Sequence, residues 1–337
     1  MKKKKYAVAI MGASGAVGQE LIKILEQRNF PVERLVLLAS KRSAGSRMKF
    51  NGKLYPVEEL TEQSFSGIDI VLASAGGSVS KHFAPYAVKA GAVVIDNTSA
   101  FRMDKNVPLV IPEINPEDIK KHRGIIANPN CSTIIMLVAI YPIHKINAIK
   151  RIVVSTYQSA SGAGARAMQE LKDQTAALLK GVAIKKEIFH HQIAFNLFSH
   201  NSAIKEDGYN EEEIKMIRET QKIFHNPKIK VCATTVRVPI LRAHSEAINL
   251  ELTQKPDLAK IRNVLNKAQG VKVVDDRSKN LFPMPIDATD QDDVLVGRLR
   301  EDVSHKNGLC LFVSGDQLRK GAALNAIQIA ERLLNIS

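Results

Sequence analysis

Short apolar runs alternate with stretches of helical spacing through the first third of the chain. Tyr6–Met11 reads as a strand, Val17–Gln27 as an amphipathic helix, Leu35–Ala39 and Ile70–Ala73 as strands, Val79–Lys89 as a helix and Ala92–Asp96 as a strand. Strands alternating with helices predict a parallel sheet covered by helices. Between Phe50 and Val57 the rhythm breaks at Asn51-Gly52, a hairpin signal beside the parallel core. Gly124–Ala127 is one more strand, ending in Asn128-Pro129-Asn130 before a helix from about Ser132.

Beyond that helix the pattern changes. Lys150–Tyr157, Val231–Pro239, Ala247–Thr253, Val294–Arg300 and Leu309–Ser314 read as strands with few helices interposed, which predicts a large mixed or antiparallel sheet in a second domain. Gln317–Leu334 carries Leu318, Ala322, Ile329 and Leu333 at helical spacing and is predicted to return as one long amphipathic helix over the first domain.

Composition narrows the classes. A chain of 337 residues suits two domains, and 45% apolar with 24% charged residues excludes a disordered or fibrous protein. The longest apolar run, Ile134 to Ile140, falls far short of the roughly 20 residues that span a bilayer. The lysines after Met1 resemble a signal-peptide n-region, but only Tyr6–Met11 is apolar before glycines begin, so a cytoplasmic protein is expected. Three scattered cysteines suit a reducing compartment, and Cys232 and Cys310, inside apolar strand patterns, are expected to be buried and inert. The net charge of +14 fits phosphorylated small molecules better than nucleic acid, because the lysines are scattered and aromatics make up only 5% with no Trp.

The first chemical motif is the turn Gly12-Ala13-Ser14-Gly15-Ala16-Val17-Gly18 between the first strand and first helix. Glycines there let the backbone approach a pyrophosphate facing the helix N-terminus; they also serve tight strand-to-helix packing. The second strand ends in Ser40-Lys41-Arg42-Ser43, where a carboxylate for a ribose hydroxyl would stand in an NAD site. Arg42 beside two hydroxyls favours the 2′-phosphate of NADP, against the alternative of a solvated basic loop. Cys131 opens an apolar helix, a position that favours a thiolate, although a cysteine there also serves packing. His190, His191 and His200 have no partner at a familiar zinc spacing, so no metal is expected and they read as surface or packing residues.

Several motifs together resemble the aspartate-β-semialdehyde dehydrogenase family along essentially the whole chain. They are the Gly12–Gly18 turn, Ser40–Gly45, Asp96–Arg102, Asn128–Thr133, Gln158 with Ser161–Gly164, Glu212–Lys215, Arg237–His244 and Gly321–Asn325. The resemblance implies an α/β fold: a Rossmann-like NADP-binding domain, residues 1–130 completed by 316–337, and an α+β catalytic and dimerisation domain with a large mixed sheet, residues 131–315. It implies NADPH-dependent reductive dephosphorylation of L-aspartyl-4-phosphate to L-aspartate-4-semialdehyde, a step toward lysine, threonine, methionine and diaminopimelate, by a homodimer. Cys131 takes the place of the nucleophile that forms a thioester, and His244 that of the general acid/base. Gln158 would orient the acyl group; as a bare residue it reads equally as a buried amide at a strand end.

The resemblance further gives Arg237 the substrate carboxylate, Glu212 the amine, and Arg102 with Lys215 the phosphate, with Asn130 also at the substrate. Gly12, Ser14, Gly15, Ala16, Val17, Ser40, Arg42, Ser43, Ser161, Gly162 and Asn325 would hold the cofactor. In isolation Glu211 to Lys215 reads as a solvated helix face, and Arg242 and His244 as ordinary strand-end residues. One departure is Lys320, where many relatives would carry a large aromatic. The alternatives are an N-acetylglutamyl-phosphate reductase, disfavoured because an acetylated amine offers Glu212 no charge, and a non-catalytic NADP-binding relative.

Overall fold

The structure, a computed structural model, describes residues 5–335. The n-region reading of Met1–Lys4 lies outside the described residues. The chain divides into two compact units, Met1–Asn130 with Ala322–Ser337, and Cys131–Gly321.

The first unit runs β1 (Tyr6–Met11), α1 (Ala16–Gln27), β2 (Val32–Ala39), β3 (Arg47–Phe50), β4 (Lys53–Glu59), β5 (Ile70–Ala73), α2 (Gly77–Lys89), β6 (Val93–Asp96) and β7 (Ile125–Ala127). They form a seven-stranded sheet in the order β3-β4-β2-β1-β5-β6-β7. All neighbours are parallel except the β3/β4 hairpin, which turns at Asn51-Gly52. Val8, Ile10 and Leu37 pack with Leu21, Ile24 and Leu25 of α1, while Ala9, Met11 and Leu38 face Ala84 and Ala87 of α2. Burial on both faces explains why these strands read as continuous apolar runs.

The strand order reverses at β1, where α/β sheets open a crevice for ligands. The chain leaves β1 through Gly12, at φ 94°, where a Cβ would lie 2.7 Å from the Ser74 carbonyl oxygen. A Cβ on Gly18 would collide with the Gly12 carbonyl oxygen. Both glycines are therefore required by packing, whatever the turn binds.

The C-terminal segment is shorter as an α-helix than its spacing predicts. The α-helix is Leu324–Leu334, preceded by a wider π turn at Arg319–Ala323. Leu324, Ala326, Ile327, Ile329 and Ala330 enter the same core as α1, and Glu331 forms a two-pronged ion pair with Arg28 at 2.6 and 2.8 Å. The unit boundary falls after Gly321 rather than before Asp316. The reason is local: Arg242 Nε donates to Asp316 Oδ2 (2.8 Å) and Ala243 N–H to Gln317 Oε1 (2.9 Å), tying both residues into the second unit.

The second unit runs α3 (Cys131–Ile146), β8 (Ile149–Gln158), α4 (Ala165–Leu179), β9 (Phe198–Ser199), α5 (Glu211–Ile223), β10 (Lys230–Arg237), β11 (His244–Leu252), α6 (Leu258–Asn266), β12 (Val271–Val273), α7 (Pro285–Ala288), β13 (Val294–Glu301) and β14 (Gly308–Gly315). Its sheet is mixed, in the order β12-β13-β14-β11-β8-β10-β9. More helices are interposed than the strand-rich pattern suggested. In α4 the apolar stripe is thin, and buried Glu170 and Gln174 accept from the backbone of 187–189 and 193–194 instead.

Alternation along these strands is clean. Ile152, Val154, Ile248, Leu250, Leu311 and Val313 are buried, whereas Val153, Tyr157, Ala247, Asn249 and Phe312 are only half-buried on the other face. Cys232 and Cys310 share that second face, opposite Val153 and Asn249, so they are half-buried rather than buried. No helix among the described residues is long and apolar enough to cross a membrane.

Candidate active site

The second sheet brings the ends of three strands together. Parallel β8 and β10 finish with Gln158 opposite Arg237, and antiparallel β11 begins at the same end with His244. The two-residue alternation turns all three to the buried face, where Gln158 Nε2 donates to Ser132 Oγ in the first turn of α3 (3.0 Å) and to Thr156 Oγ1 (3.3 Å). Cys131 is the first residue of α3, so it sits at the positive end of the helix dipole. The adjacent Arg237 charge acts on the same sulfur, and a Cβ on Gly321 would lie 3.0 Å from Cys131 Cβ. The position suits a thiolate with little room for a further side chain.

His244 is completely buried. Its Nδ1 accepts from the Ser159 backbone N–H at 3.1 Å, and its Nε2 has no partner among the described residues. Burial, with the Arg237 charge second, pushes the imidazole down to about 3, so the ring is neutral at physiological pH. Gly162 closes over it: a Cβ there would lie 3.1 Å from Arg237 Nη1 and 3.2 Å from His244 Nε2.

Arg237 is 1% exposed and held rigidly. Nη1 donates to the Ser159 carbonyl (2.6 Å), Nη2 donates to His200 Nε2 (2.9 Å) and Asn201 Oδ1 (3.2 Å), and Nε has no partner among the described residues. The guanidinium lies 5.6 Å from the ring centre of Phe189. Burial lowers its pKa, opposed by the negative charges of Glu212 and Cys131.

Glu212 and Lys215 are placed by the start of α5. Asn210 and Glu213 form a reciprocal capping box, and Glu213 also accepts from Thr235 N–H on β10 at 2.9 Å. Glu212 is 4% exposed and pairs with Lys215 Nζ at 3.1 Å. A solvated helix face is thus the wrong reading of this run. Its polar spacing is helical, but α5 packs on β10 with its acidic first turn inward.

His200 is the residue that spacing misjudged. It is neither a surface nor a packing histidine, because its Nε2 meets the Arg237 guanidinium, while its Nδ1 lies 3.2 Å from the Ser202 backbone nitrogen and 3.1 Å from Ser202 Oγ. Burial and neighbouring cations push it down to about 4. His190 and His191 are exposed. Ser159, Gln317 and Glu246 are not marked by the sequence: a strand-end Ser and Gln carry no spacing signal, and Glu246 falls just before the strand that the pattern predicts at Ala247–Thr253. Glu246 is fully buried with neither carboxyl oxygen partnered among the described residues.

The remaining candidates belong to the first unit. Ser14 and Gly15 are exposed at the entry to α1, beside Ala16 and Val17, and no side chain caps that helix. Ser40 and Arg42 are exposed in the turn after β2, where Ser43 N–H closes onto Ser40 O at 2.8 Å. Arg42 makes no ion pair among the described residues. Arg102 is held on the carbonyls of Asn97 (2.7 Å) and Asn128 (2.9 Å), and Asn130 is buried at the end of the unit. Asn325 is fully buried and donates to Val110 O (3.0 Å) and Asn128 Oδ1 (2.6 Å). In the second unit, Ser161 is 2% exposed with its hydroxyl bonded to Ser159 and Gln317, and Lys320 is buried.

Residues 7–122 match the family model described as semialdehyde dehydrogenase, NAD binding domain, and residues 140–320 that described as semialdehyde dehydrogenase, dimerisation domain. The chain is 59% identical to an aspartate-semialdehyde dehydrogenase of Synechocystis sp., with 97% of each chain covered, and 54% identical to one of Aquifex aeolicus over 98% of each. Among solved structures, aspartate semialdehyde dehydrogenase II of Vibrio cholerae superposes with a TM-score of 0.95 at 48% identity, covering 98% of this chain and 99% of that one. The same enzyme complexed with ASA gives 0.96 at 47% identity, covering 99% of each chain. The enzyme of Candida albicans with NADP gives 0.75 at 25% identity, covering 99% of this chain and 100% of that one. With both domains matched and such relatives along nearly its whole length, the chain belongs to the aspartate-semialdehyde dehydrogenase family.

Proposed function

We propose that the protein reduces L-aspartyl-4-phosphate to L-aspartate-4-semialdehyde, releasing phosphate, through a thioester on Cys131. The observation that carries this reading is that buried Arg237 and buried Glu212, of opposite charge, act on one another electrostatically and on the groups of the same wall, Cys131 and His244. A guanidinium and a carboxylate on one wall select the carboxylate and free amine of an α-amino acid. An N-acetylated substrate carries no charge on its nitrogen for Glu212 to meet, which disfavours the acetylglutamyl alternative. The retained thiol and imidazole disfavour a non-catalytic relative.

Cys131 Sγ attacks the acyl carbon, the carbon–oxygen bond to phosphate breaks, and Lys215 meets the departing dianion. We assign Arg102, in the first unit, the same kind of anion, and Asn130 and Gln158 the orientation of the acyl group. Bound NADPH supplies the hydride that reduces the thioester. His244 holds a proton at the acyl oxygen as negative charge builds there and keeps it as the thiohemiacetal breaks and Cys131 leaves as thiolate.

For the cofactor, the uncapped start of α1, with Gly12 to Val17, suits a pyrophosphate, and exposed Arg42 with Ser40 and Ser43 suits a 2′-phosphate, favouring NADP over NAD. We assign Ser161, Gly162 and Asn325 to the same ligand. The half-buried sheet face of the second unit supports a homodimer, and we expect a cytoplasmic protein. The test is an assay run in reverse. Aspartate semialdehyde, phosphate and NADP should yield reduced cofactor, and N-acetylglutamate semialdehyde should not; the opposite preference would overturn the substrate assignment.

A further inference from the structure

Ser159 grips one atom of the His244 ring twice. Its backbone N–H donates to Nδ1 at 3.1 Å, and its hydroxyl lies 3.1 Å from the same nitrogen. A backbone N–H can only donate, so Nδ1 is an acceptor and the neutral ring carries its hydrogen on Nε2. The direction of the hydroxyl hydrogen is set further back. Gln317 Oε1 accepts from Ala243 N–H (2.9 Å), which turns Nε2 of Gln317, a donor only, onto Ser161 Oγ. Ser161 Oγ lies 2.9 Å from Ser159 Oγ. Having accepted from Gln317, Ser161 donates to Ser159, and Ser159 donates to Nδ1. Ser159, Ser161, Gln317 and His244 are each 2% exposed or less, so solvent does not compete along the line.

We propose that Gln317, Ser161 and Ser159 form a one-way hydrogen-bond relay that fixes His244 as the Nε2–H tautomer, so that the ring serves the acyl oxygen as a neutral donor rather than as an imidazolium. The assignment rests on the reading of His244 given above and makes the three relay residues positioning residues. An imidazolium would turn an Nδ1–H against the Ser159 N–H and reverse every hydroxyl in the line. The charged groups around the ring act in the same direction on balance. Arg237 on β10 and His200 after β9 oppose a positive ring, Glu212 on α5 favours one, and burial outweighs them all.

A neutral donor is chemically sufficient. On reduction of the thioester the carbonyl electron pair moves onto oxygen, where Nε2–H meets it. The pair then reforms the carbonyl as the carbon–sulfur bond breaks, Cys131 departs as thiolate, and the proton stays on Nε2. Gly162 keeps the space before Nε2 open, since a Cβ there would stand 3.2 Å from that nitrogen.

The test is nitrogen-15 NMR of the full-length enzyme labelled at histidine, with Glu246 and all other residues native and His244→Gln used to assign the signal. His244 should show a protonated Nε2 and an unprotonated Nδ1 throughout pH 5 to 8. Gln317→Glu presents Ser161 with an acceptor instead of a donor; it should raise the titration midpoint of His244 by roughly one unit or more, a shift that reversing one hydrogen-bond direction can supply. If that variant does not fold, Ser161→Ala cuts the line and should shift the Nδ1 resonance as the Ser159 hydroxyl loses its fixed direction, while the Ser159 backbone N–H keeps Nδ1 an acceptor. In the reverse assay Ser159→Ala should lower kcat roughly three- to tenfold, the worth of one hydrogen bond, with KM nearly unchanged, and Ser159→Thr should restore it. An imidazolium at neutral pH, a hydrogen on Nδ1, or a signal indifferent to both relay variants would overturn the proposal. The NMR result does not depend on turnover, so failure of the relay and failure of the assigned reaction are told apart.

Discussion

Replacing Arg237 with Lys keeps the positive charge and removes the fork. The native guanidinium satisfies Ser159 O, His200 Nε2 and Asn201 Oδ1 at 2.6, 2.9 and 3.2 Å while its Nε stays unpartnered among the described residues. A shorter ammonium cannot span these acceptors and also bind a carboxylate through two parallel bonds. One charge-assisted bond lost to the substrate is worth about 1.5–3 kcal/mol, so KM for aspartate semialdehyde should rise roughly ten- to hundredfold. Acceptors left unmet in the protein should cost a similar amount of stability and lower Tm by about 5 °C in a domain of this size. The assay is steady-state kinetics with each substrate varied in turn, alongside thermal melting by circular dichroism. KM for phosphate should barely move. A lower Tm with an unchanged semialdehyde KM would show that Arg237 braces the fold and does not grip substrate.

Cys131→Ala should abolish turnover while leaving NADPH affinity, read by fluorescence titration, nearly unchanged; residual native-like activity would defeat the mechanism. Arg42→Ala should shrink the preference for NADP over NAD by roughly one to two decades, from the loss of a charge-assisted contact, with NAD kinetics little altered; an equal loss with both cofactors would make Arg42 a fold residue. Glu246 should control stability against pH. Burial raises its carboxyl well above the ordinary range, so the folded protein keeps a proton that the unfolded chain loses near pH 4.3, and this contribution is present in acid and lost as pH rises. Glu246→Gln should therefore gain Tm relative to the native protein between pH 5 and pH 8, and a constant offset between the two would contradict the assignment.

Much of this architecture is legible because it rests on periodicity. The parallel strands of the first unit are buried on both faces, and their apolar runs end at the residues where Gly12 and Asn128 turn the chain. The second sheet alternates so cleanly that β8, β11 and β14 stand out from the sequence. Elements whose stability comes from elsewhere are harder to see. Helix α4 is anchored by Glu170 and Gln174 reaching loop backbone, and the segment entering the π turn at Arg319–Ala323 is held by Asp316, whose carboxylate accepts from the N–H groups of Leu318 and Arg319 and whose carbonyl accepts from Gly321 N–H, none of which leaves a spacing signal. Cys232 and Cys310 read as core because periodicity locates a face without saying what covers it. The motif residues Cys131, Gln158, Arg237 and His244 are visible in the sequence, but His200, Ser159 and Gln317 act through partners distant along the chain, which only folding brings to them.

The thioester on Cys131 is tested most directly by withholding phosphate. Mixed rapidly with aspartate semialdehyde and NADP alone, the enzyme should release one reduced cofactor per active site in a burst and then stop, with an aspartyl group found on the Cys131 peptide by mass spectrometry of the acid-quenched protein. Phosphate added afterwards should discharge it and restart turnover. Continuous turnover without phosphate, or a burst with no acyl group on Cys131, would contradict the account.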